Sequence, residues 1–399
     1  MSLPLRFNRS ELAGSLGDLG TLLPLAMGMI LVNGLSPSGI FFCVGIFYIF
    51  SGLYFGVTTA VQPMKVISAY AVAAALSAQQ IMAATLVMAA LLTLLGASGA
   101  MTWLSRHTPR PVVRGVQLST GILLMIQGLK CMLGTSSLQA ISLMAEPYLA
   151  WQRIGVVPIG IPVGLAGVLL TLLLLNNRKL PAALALIGLG LFVGIVLGAH
   201  HDLSRFGLQL QWPAFLPLAM PGGVDFTFAF FALVLPQLPM TVGNAVLANA
   251  DLSRKYFGDA ARKITGRSLC FSMALANLLA VAFGGMPMCH GAGGLAAHYR
   301  FGARSAGSNL IIGLLMVIAV LLWGDRLLAL FNLVPLAILG VLLFFAGGQL
   351  ALTIVDLPTR SEMLIPLTML AITLSANLAY GFGTGLLMAL LIRWRRIDV

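Results

Sequence analysis

The chain has 399 residues, of which 59% are hydrophobic and 9% are charged, and its mean hydropathy is +0.99. A soluble fold of this length needs far more polar surface, so the composition predicts a polytopic membrane protein. The formal charge of +12 does not indicate nucleic-acid binding, because the basic residues fall in short loops between apolar segments. Residues 1–14 lack an apolar region followed by a cleavage site, so no signal peptide is predicted.

The hydrophobic pattern predicts an all-α membrane protein with fourteen transmembrane segments. The third and tenth segments are short, as half-spans are. The predicted segments are 11–33, 37–58, 62–77, 80–103, 112–134, 156–176, 180–199, 225–249, 266–284, 287–300, 305–324, 330–351, 362–377 and 379–394.

Basic residues give the orientation of these segments. With the N-terminus in the cytoplasm, eighteen Lys and Arg residues lie on the inner side and four on the outer side, and Lys65 lies within the membrane. This bias follows the positive-inside rule and places both termini in the cytoplasm.

The two halves of seven segments repeat each other weakly. Asp18 in segment 1 precedes Pro63 by 45 residues, and Gln237 in segment 8 precedes Pro287 by 50. An odd number of segments per half gives the halves opposite orientations. The chain therefore has the pattern of an inverted-repeat secondary transporter.

A Pro-Met pair marks each of the two short segments. Val61-Gln62-Pro63-Met64-Lys65 opens segment 3, and 285–294, which reads GMPMCHGAGG, opens segment 10. Proline suits the first position of a helix, and the residues after it present free N–H groups that carry about half a positive charge. Two such ends facing one cavity predict a site for an anion.

The start of segment 3 (Val61–Lys65) and the start of segment 10 (285–294) are called the two breaks. The predicted substrate-binding residues lie at these two breaks and in segment 8. They are Gln62, Pro63, Met64, Lys65, Gln237, Met288, Cys289, His290 and Gly291. Lys65 either adds its charge to the anion site or forms a structural ion pair with Asp18, since a buried Lys needs a cavity or a counter-ion. Asp18 is either a carboxylate that couples transport to a proton or cation, or an acid that bonds a neighbouring helix. His290 is either a substrate contact or a structural histidine.

Metal and redox sites are not predicted. The four cysteines, Cys43, Cys131, Cys270 and Cys289, lie in apolar segments without CxxC or HxxxH spacing, so neither a disulfide nor a metal cluster is expected. No cofactor is expected either. An intramembrane enzyme needs a catalytic cluster, and Asp18 and His290 stand without a nucleophile in a known motif.

Four strings carry a resemblance to a known family. ELAGSLGDLGTLLPL, VQPMK, LPQLPMTVGNAV and GGMPMCHGAGGLAAHYRFGARSAGSN resemble the molybdate-transporter branch of the sulfate permease superfamily. The resemblance implies the fold shared by uracil and sulfate permeases, with an elevator-like cycle. It implies a core domain of 1–110 and 223–327 and a gate domain of 111–222 and 328–399. Sulfate permeases carry a soluble STAS domain after the last span; this chain shows none after Trp394, as expected for the molybdate branch.

We therefore expect an inner-membrane importer of a tetrahedral oxyanion, with molybdate as the first choice. Sulfate or tungstate is the nearest alternative, because charge and tetrahedral shape hardly separate these ions. A passive anion channel is another alternative. A homodimer is expected from fold analogy, and a proton or cation is a possible co-substrate.

Overall fold

A computed structural model describes the chain except for residues 1–3, 102, 104–108, 176, 178–180, 199–206, 209 and 396–399. In the first half, its helices are α1 (Arg9–Ser15), α2 (Leu19–Leu31), α3 (Pro37–Phe55), α4 (Lys65–Ala73), α5 (Ala78–Ser98), α6 (Arg110–Leu133), α7 (Ser137–Ser142), α8 (Gly160–Leu174) and α9 (Ala182–Leu197). The short strands there are β1 (Gln62–Pro63), β2 (Arg153–Ile154) and β3 (Val157–Pro158).

The second half follows a similar order in part, because a short strand again precedes a short helix. It contains α10 (Gly223–Phe228), α11 (Leu235–Met240), α12 (Asn249–Phe257), α13 (Gly266–Phe283), strand β4 (Met288–Cys289), α14 (Ala292–Phe301), α15 (Gly307–Trp323), α16 (Leu327–Asn332), α17 (Leu336–Ala351), α18 (Arg360–Ser375) and α19 (Leu378–Arg395). Two π-helical stretches, Ala229–Val234 and Thr241–Ala248, flank α11, which contains Pro236 and Pro239. Proline removes backbone donors, and π-helical turns are common where a helix is interrupted near a functional site.

A helix occupies each of the fourteen ranges predicted from the sequence. Among the described residues, seven helical runs are long and apolar enough to cross a membrane, or eight if the bent pair α1 and α2 forms one span. The multi-pass membrane class is confirmed, and the count of fourteen spans stays a prediction. The chain bends by 41° between α1 and α2, where Asp18 lies.

Close helix packing follows a two-fold relation between the halves. Gly121 and Gly128 of α6 face Gly347 and Gly340 of α17, and a Cβ on any of the four would lie within about 2.5 Å of the opposing carbonyl oxygen. Likewise α3 packs on α15, and its counterpart α13 packs on α5. Small residues allow such close approach of membrane helices. In each pair one helix belongs to the first half and the other to the second half. Exchanging the halves converts one pair into the other, as an inverted repeat requires.

Strands β1 and β4 join the two breaks. They pair antiparallel, with Gln62 opposite Cys289 and Pro63 opposite Met288, and Met64 N donates to Pro287 O at 2.9 Å. Helices α4 and α14 leave this pairing with nine and ten residues, which corresponds to about 14–15 Å, or half the hydrocarbon thickness. The two helix N-termini therefore lie close together inside the protein.

Two buried glutamates fasten connecting segments. Glu11 accepts hydrogen bonds from Arg304 N and Ser305 N at the start of the connection to α15. Glu146 accepts from Leu336 N and Ala337 N, the first N–H groups of α17. Each carboxylate satisfies backbone donors that a helix start or loop would otherwise leave unpaired.

Candidate functional site

Lys65 is the first residue of α4 and is half-buried at the junction of the breaks. Its Nζ lies 3.9 Å from the position that a Cβ on Gly293 would take. Among the described residues, the ion pairs within 4.0 Å join Asp356 to Arg110 and Arg114, so the alternative ion pair of Lys65 with Asp18 is not formed in this conformation. The charge of Lys65 therefore faces the first turn of α14.

The N-terminus of α4 is capped from segment 8. Gln237 Oε1 accepts from Val66 N at 3.0 Å and from Ile67 N at 3.3 Å, and its Nε2 donates to Thr241 Oγ1 at 3.0 Å. The side chain is fully buried. Gln237 thus occupies the position where an anion would approach α4, and its own polar atoms are engaged.

The N-terminus of α14 differs, because it has no such cap. Gly291, the residue before the helix, makes no side-chain cap, and in the described part of the chain no side chain accepts from the N–H groups of Ala292, Gly293 or Gly294. Gly293 lies on a cavity wall. These free donors, with Lys65 beside them, form the most electropositive place that the two breaks offer.

Asp18 and Gln62 lie behind this turn. Gln62 Nε2 donates to Asp18 Oδ1 at 2.6 Å, whereas Asp18 Oδ2 and Gln62 Oε1 have no hydrogen-bond partner among the described residues. A Cβ on Gly291 would overlap Gln62 Oε1, and a Cβ on Gly294 would lie 2.5 Å from Asp18 Oδ2. Glycine is required at both positions because the two side chains fill the space.

The predicted residues of the second break hold the backbone together. Asn277 binds both polar groups of Met288, donating to its O at 2.9 Å and accepting from its N at 3.1 Å. Cys289 Sγ contacts Pro63 O at 3.6 Å. Asn277 was not predicted from the sequence, although an amide in the apolar helix α13 is a signal that could have indicated it.

His290 points away from the cavity. Its Nδ1 donates to Ala60 O at 2.9 Å, so Nε2 of the neutral ring accepts from Ser272 Oγ at 3.0 Å. The ring packs against Phe47 and Phe55, with centroids 4.8 and 5.6 Å away. With both nitrogens engaged, the geometry favours the structural alternative for His290 over the substrate contact.

A cavity in two lobes lies beside Lys65. The lobes have volumes of about 330 Å³ and 250 Å³, and they share Gly20, Thr21, Lys65, Ala346 and Gln349 as lining residues. Their remaining polar lining comprises Thr171, Asn177, Gly293 and Arg300 in the larger lobe, and Arg114, Gln117, Asn244 and Thr353 in the smaller one. None of the described residues that line either lobe is an Asp or a Glu. The cavity is therefore suited to an anion.

A family model and curated relatives identify the chain's family. The model described as "Molybdate transporter of MFS superfamily" matches residues 10–124 and 229–350. "Molybdate transporter 2" of Arabidopsis thaliana is 34% identical, over 98% of this chain and 88% of its own length. "Molybdate transporter 1" of Chlamydomonas reinhardtii is 30% identical, over 94% of this chain and 90% of its own.

Solved structures share the fold. The transmembrane domain of a cyanobacterial bicarbonate transporter, BicA, aligns with a TM-score of 0.66 and 18% identity, over 96% of this chain and 98% of that domain. Murine Slc26a9, an anion transporter in the inward-facing state, aligns with a TM-score of 0.69 and 14% identity, over 98% of this chain and 69% of its own. The resemblance to the sulfate permease type of fold is thereby confirmed. The family model and the curated relatives show that the chain belongs to the molybdate transporter family.

Proposed function

We propose that this protein imports molybdate as a secondary active transporter. The observation that carries the proposal is the cavity, which is lined by Lys65 and by Gly293 of the uncapped first turn of α14, with no Asp or Glu among its described lining residues. A full charge and a helix end of about half a charge act together on an anion that enters the cavity. A doubly charged oxyanion gains from both, whereas a neutral solute does not.

The proposed contacts are Lys65 and the backbone from Gly291 to Gly294. Gln62, Pro63, Met64, Gln237, Met288, Cys289 and His290 support them, because in this conformation their hydrogen bonds or their strand pairing hold the two breaks in register. In this proposal, the charge and the free N–H groups contact the substrate, and the neutral polar groups lie behind them and hold them in place.

The proposed cycle moves a core domain (1–110 and 223–327) against a gate domain (111–222 and 328–399). The cavity has lining residues from both: Lys65 and Gly293 belong to the core, and Gln349 belongs to the gate. The larger lobe also reaches Asn177 and Arg300, which the positive-inside rule places near the cytoplasm. We infer that this conformation is inward-facing. We also propose that the protein is a multi-pass homodimer of the inner membrane with both termini in the cytoplasm.

Asp18 is the proposed coupling group. Its Oδ2 is buried without a partner, and Gly294 packs so tightly against it that a proton satisfies the oxygen better than a hydrated ion. Lys65 is the cation at the same junction, and among the described residues no ion pair within 4.0 Å joins it to Asp18. Proton entry with the oxyanion would supply the energy for accumulation.

The experiment is uptake of labelled molybdate into proteoliposomes against excess sulfate, with and without a proton gradient. We expect accumulation that depends on the gradient and that sulfate displaces poorly, because N–H donors spaced for longer metal–oxygen bonds leave sulfate under-contacted. Each unmet donor costs about 1–3 kcal/mol. If sulfate competes equally, the assignment of molybdate fails and the protein is a general carrier of the sulfate type. If molybdate never accumulates beyond equilibrium, the channel alternative is favoured.

A further inference from the structure

Gln349 is a polar side chain on an otherwise apolar membrane helix. Helix α17 (Leu336–Ala351) contains only apolar residues and glycine apart from Gln349. The side chain is exposed, and no hydrogen bond joins it to another residue in the described part of the chain. An amide at membrane depth is costly unless a partner or a cavity satisfies it, and such residues commonly mark a substrate path.

The cavity gives this amide its surroundings. Gln349 lines both lobes, and so do Lys65 and Thr21 of the opposite group of helices. The remaining polar groups of the gate side that line the smaller lobe are engaged: Arg114 binds Asp356 and Gln117, and Thr353 binds Gln117. Gln349 therefore brings unengaged hydrogen-bond donors to the shared part of the cavity from the gate side.

The backbone beside Gln349 is fixed firmly. A Cβ on Gly347 would lie 2.4 Å from Gly121 O of α6, and one on Gly121 would lie 2.5 Å from Gly347 O. This contact locks α17 against α6 two residues before Gln349. The amide is thus presented from a rigid wall and can adjust only by its side-chain torsions.

We propose that Gln349 is the gate-side ligand of the transported oxyanion and determines its selectivity. The proposal rests on the proposed function. A tetrahedral oxyanion held by Lys65 and the α14 turn directs further oxygens away from the core, and the Gln349 Nε2 group donates to one of them. A larger oxyanion bridges Lys65 and Gln349 more easily than a smaller one, so the proposed contact contributes more to the binding of molybdate than to that of sulfate.

A charge series at Gln349 tests this contact. The apparent affinity for labelled molybdate should fall in the order Gln349→Lys, wild type, Gln349→Leu, Gln349→Glu. Loss of a hydrogen bond to a charged ligand should weaken affinity about tenfold to a hundredfold in Gln349→Leu. Gln127→Leu is the matched control, because Gln127 is a buried glutamine of the neighbouring α6 that lines neither lobe, and its affinity should stay within twofold of wild type.

The proposal fails if Lys, Leu and Glu at position 349 change affinity equally, or if only the maximal rate changes. Both results describe a packing residue that does not touch the anion. The size-exclusion profile and the thermal transition show whether Gln349→Leu folds. If it does not, the molybdate affinity of Gln349→Asn is measured instead, and an unchanged affinity in that variant overturns the proposed contact. If wild type carries sulfate as readily as molybdate, both the proposed substrate and the selectivity role of Gln349 fail, and the same series with labelled sulfate decides whether Gln349 contacts the anion.

Discussion

The two breaks of this protein share one construction but end differently. Both place Pro-Met before a short helix, and they pair with each other through Gln62–Pro63 and Met288–Cys289. Helix α4 then receives the Gln237 cap and contributes the side-chain charge of Lys65, whereas α14 keeps its backbone donors free. The two breaks thus have the same backbone plan, and the proposed anion site lies at the break whose helix end is uncapped.

The largest effect is expected from Gly291. Gly291→Ala should abolish transport, because the added Cβ overlaps Gln62 Oε1 and displaces the buried amide that binds Asp18. Gly293→Ala is the matched control, since the nearest atom to its Cβ is Lys65 Nζ at 3.9 Å, and it should keep a measurable part of the uptake. Uptake assays at matched membrane abundance compare the two, and equal activity would show that the turn is loosely packed.

Lys65→Met should weaken oxyanion affinity by about one to two orders of magnitude. It removes a full charge from beside the free end of α14, and close charged contacts contribute about 1.5–3 kcal/mol. The double change with Asp18→Asn should not restore affinity, because Asp18 and Lys65 are not paired. Restored binding in the double variant, measured by calorimetry, would establish the ion pair instead.

Asp18→Asn should remove the dependence of uptake on a proton gradient while exchange of bound molybdate continues. The amide keeps the shape of the protonated acid but cannot release a proton. Glu11→Gln is the control, because Glu11 is equally buried yet fastens the loop at Arg304. Gradient-driven accumulation that survives in Asp18→Asn would contradict the coupling role.

A smaller effect is expected from Gln237→Ala. Losing the cap of α4 should cost about 0.5–2 kcal/mol of stability, which thermal unfolding in detergent measures. Affinity should change less than in Lys65→Met, because the Gln237 polar atoms face α4 and Thr241 and not the cavity. A loss of affinity as large as that of Lys65→Met would place the substrate at α4.

The sequence predicted the breaks because proline and glycine act locally. Pro63 and Pro287 mark the two breaks because proline restricts the backbone wherever the helices pack. The expectation that each proline takes the first position of its helix is wrong, because the pairing of β1 with β4 comes first. Helix α4 begins two residues after Pro63, and α14 begins five residues after Pro287. The direction of the Gln237 side chain did not follow, because the π-helical stretches around it shift the helical register in a way that no spacing rule gives.

Contacts between residues far apart in the chain could not be predicted from the sequence either. Glu146, Asn277 and Gln349 are single polar residues in apolar surroundings, and spacing does not show whether each faces a backbone, a cavity or lipid. Gln349 and Lys65 line one cavity because α17 packs on both α6 and α2, which spacing along the chain does not reveal. Likewise, the choice between substrate contact and structural role for His290 depended on Ala60 and Ser272, which lie 230 and 18 residues away.

The anomalous scattering of molybdenum in crystals grown with molybdate tests the central claim most directly. The anion should appear as one peak in the cavity, with its oxygens in contact with Lys65 Nζ and with the N–H groups of the first turn of α14, while Gln237 still caps α4. A peak at the N-terminus of α4 in place of the Gln237 amide, or one remote from Lys65, would contradict the account.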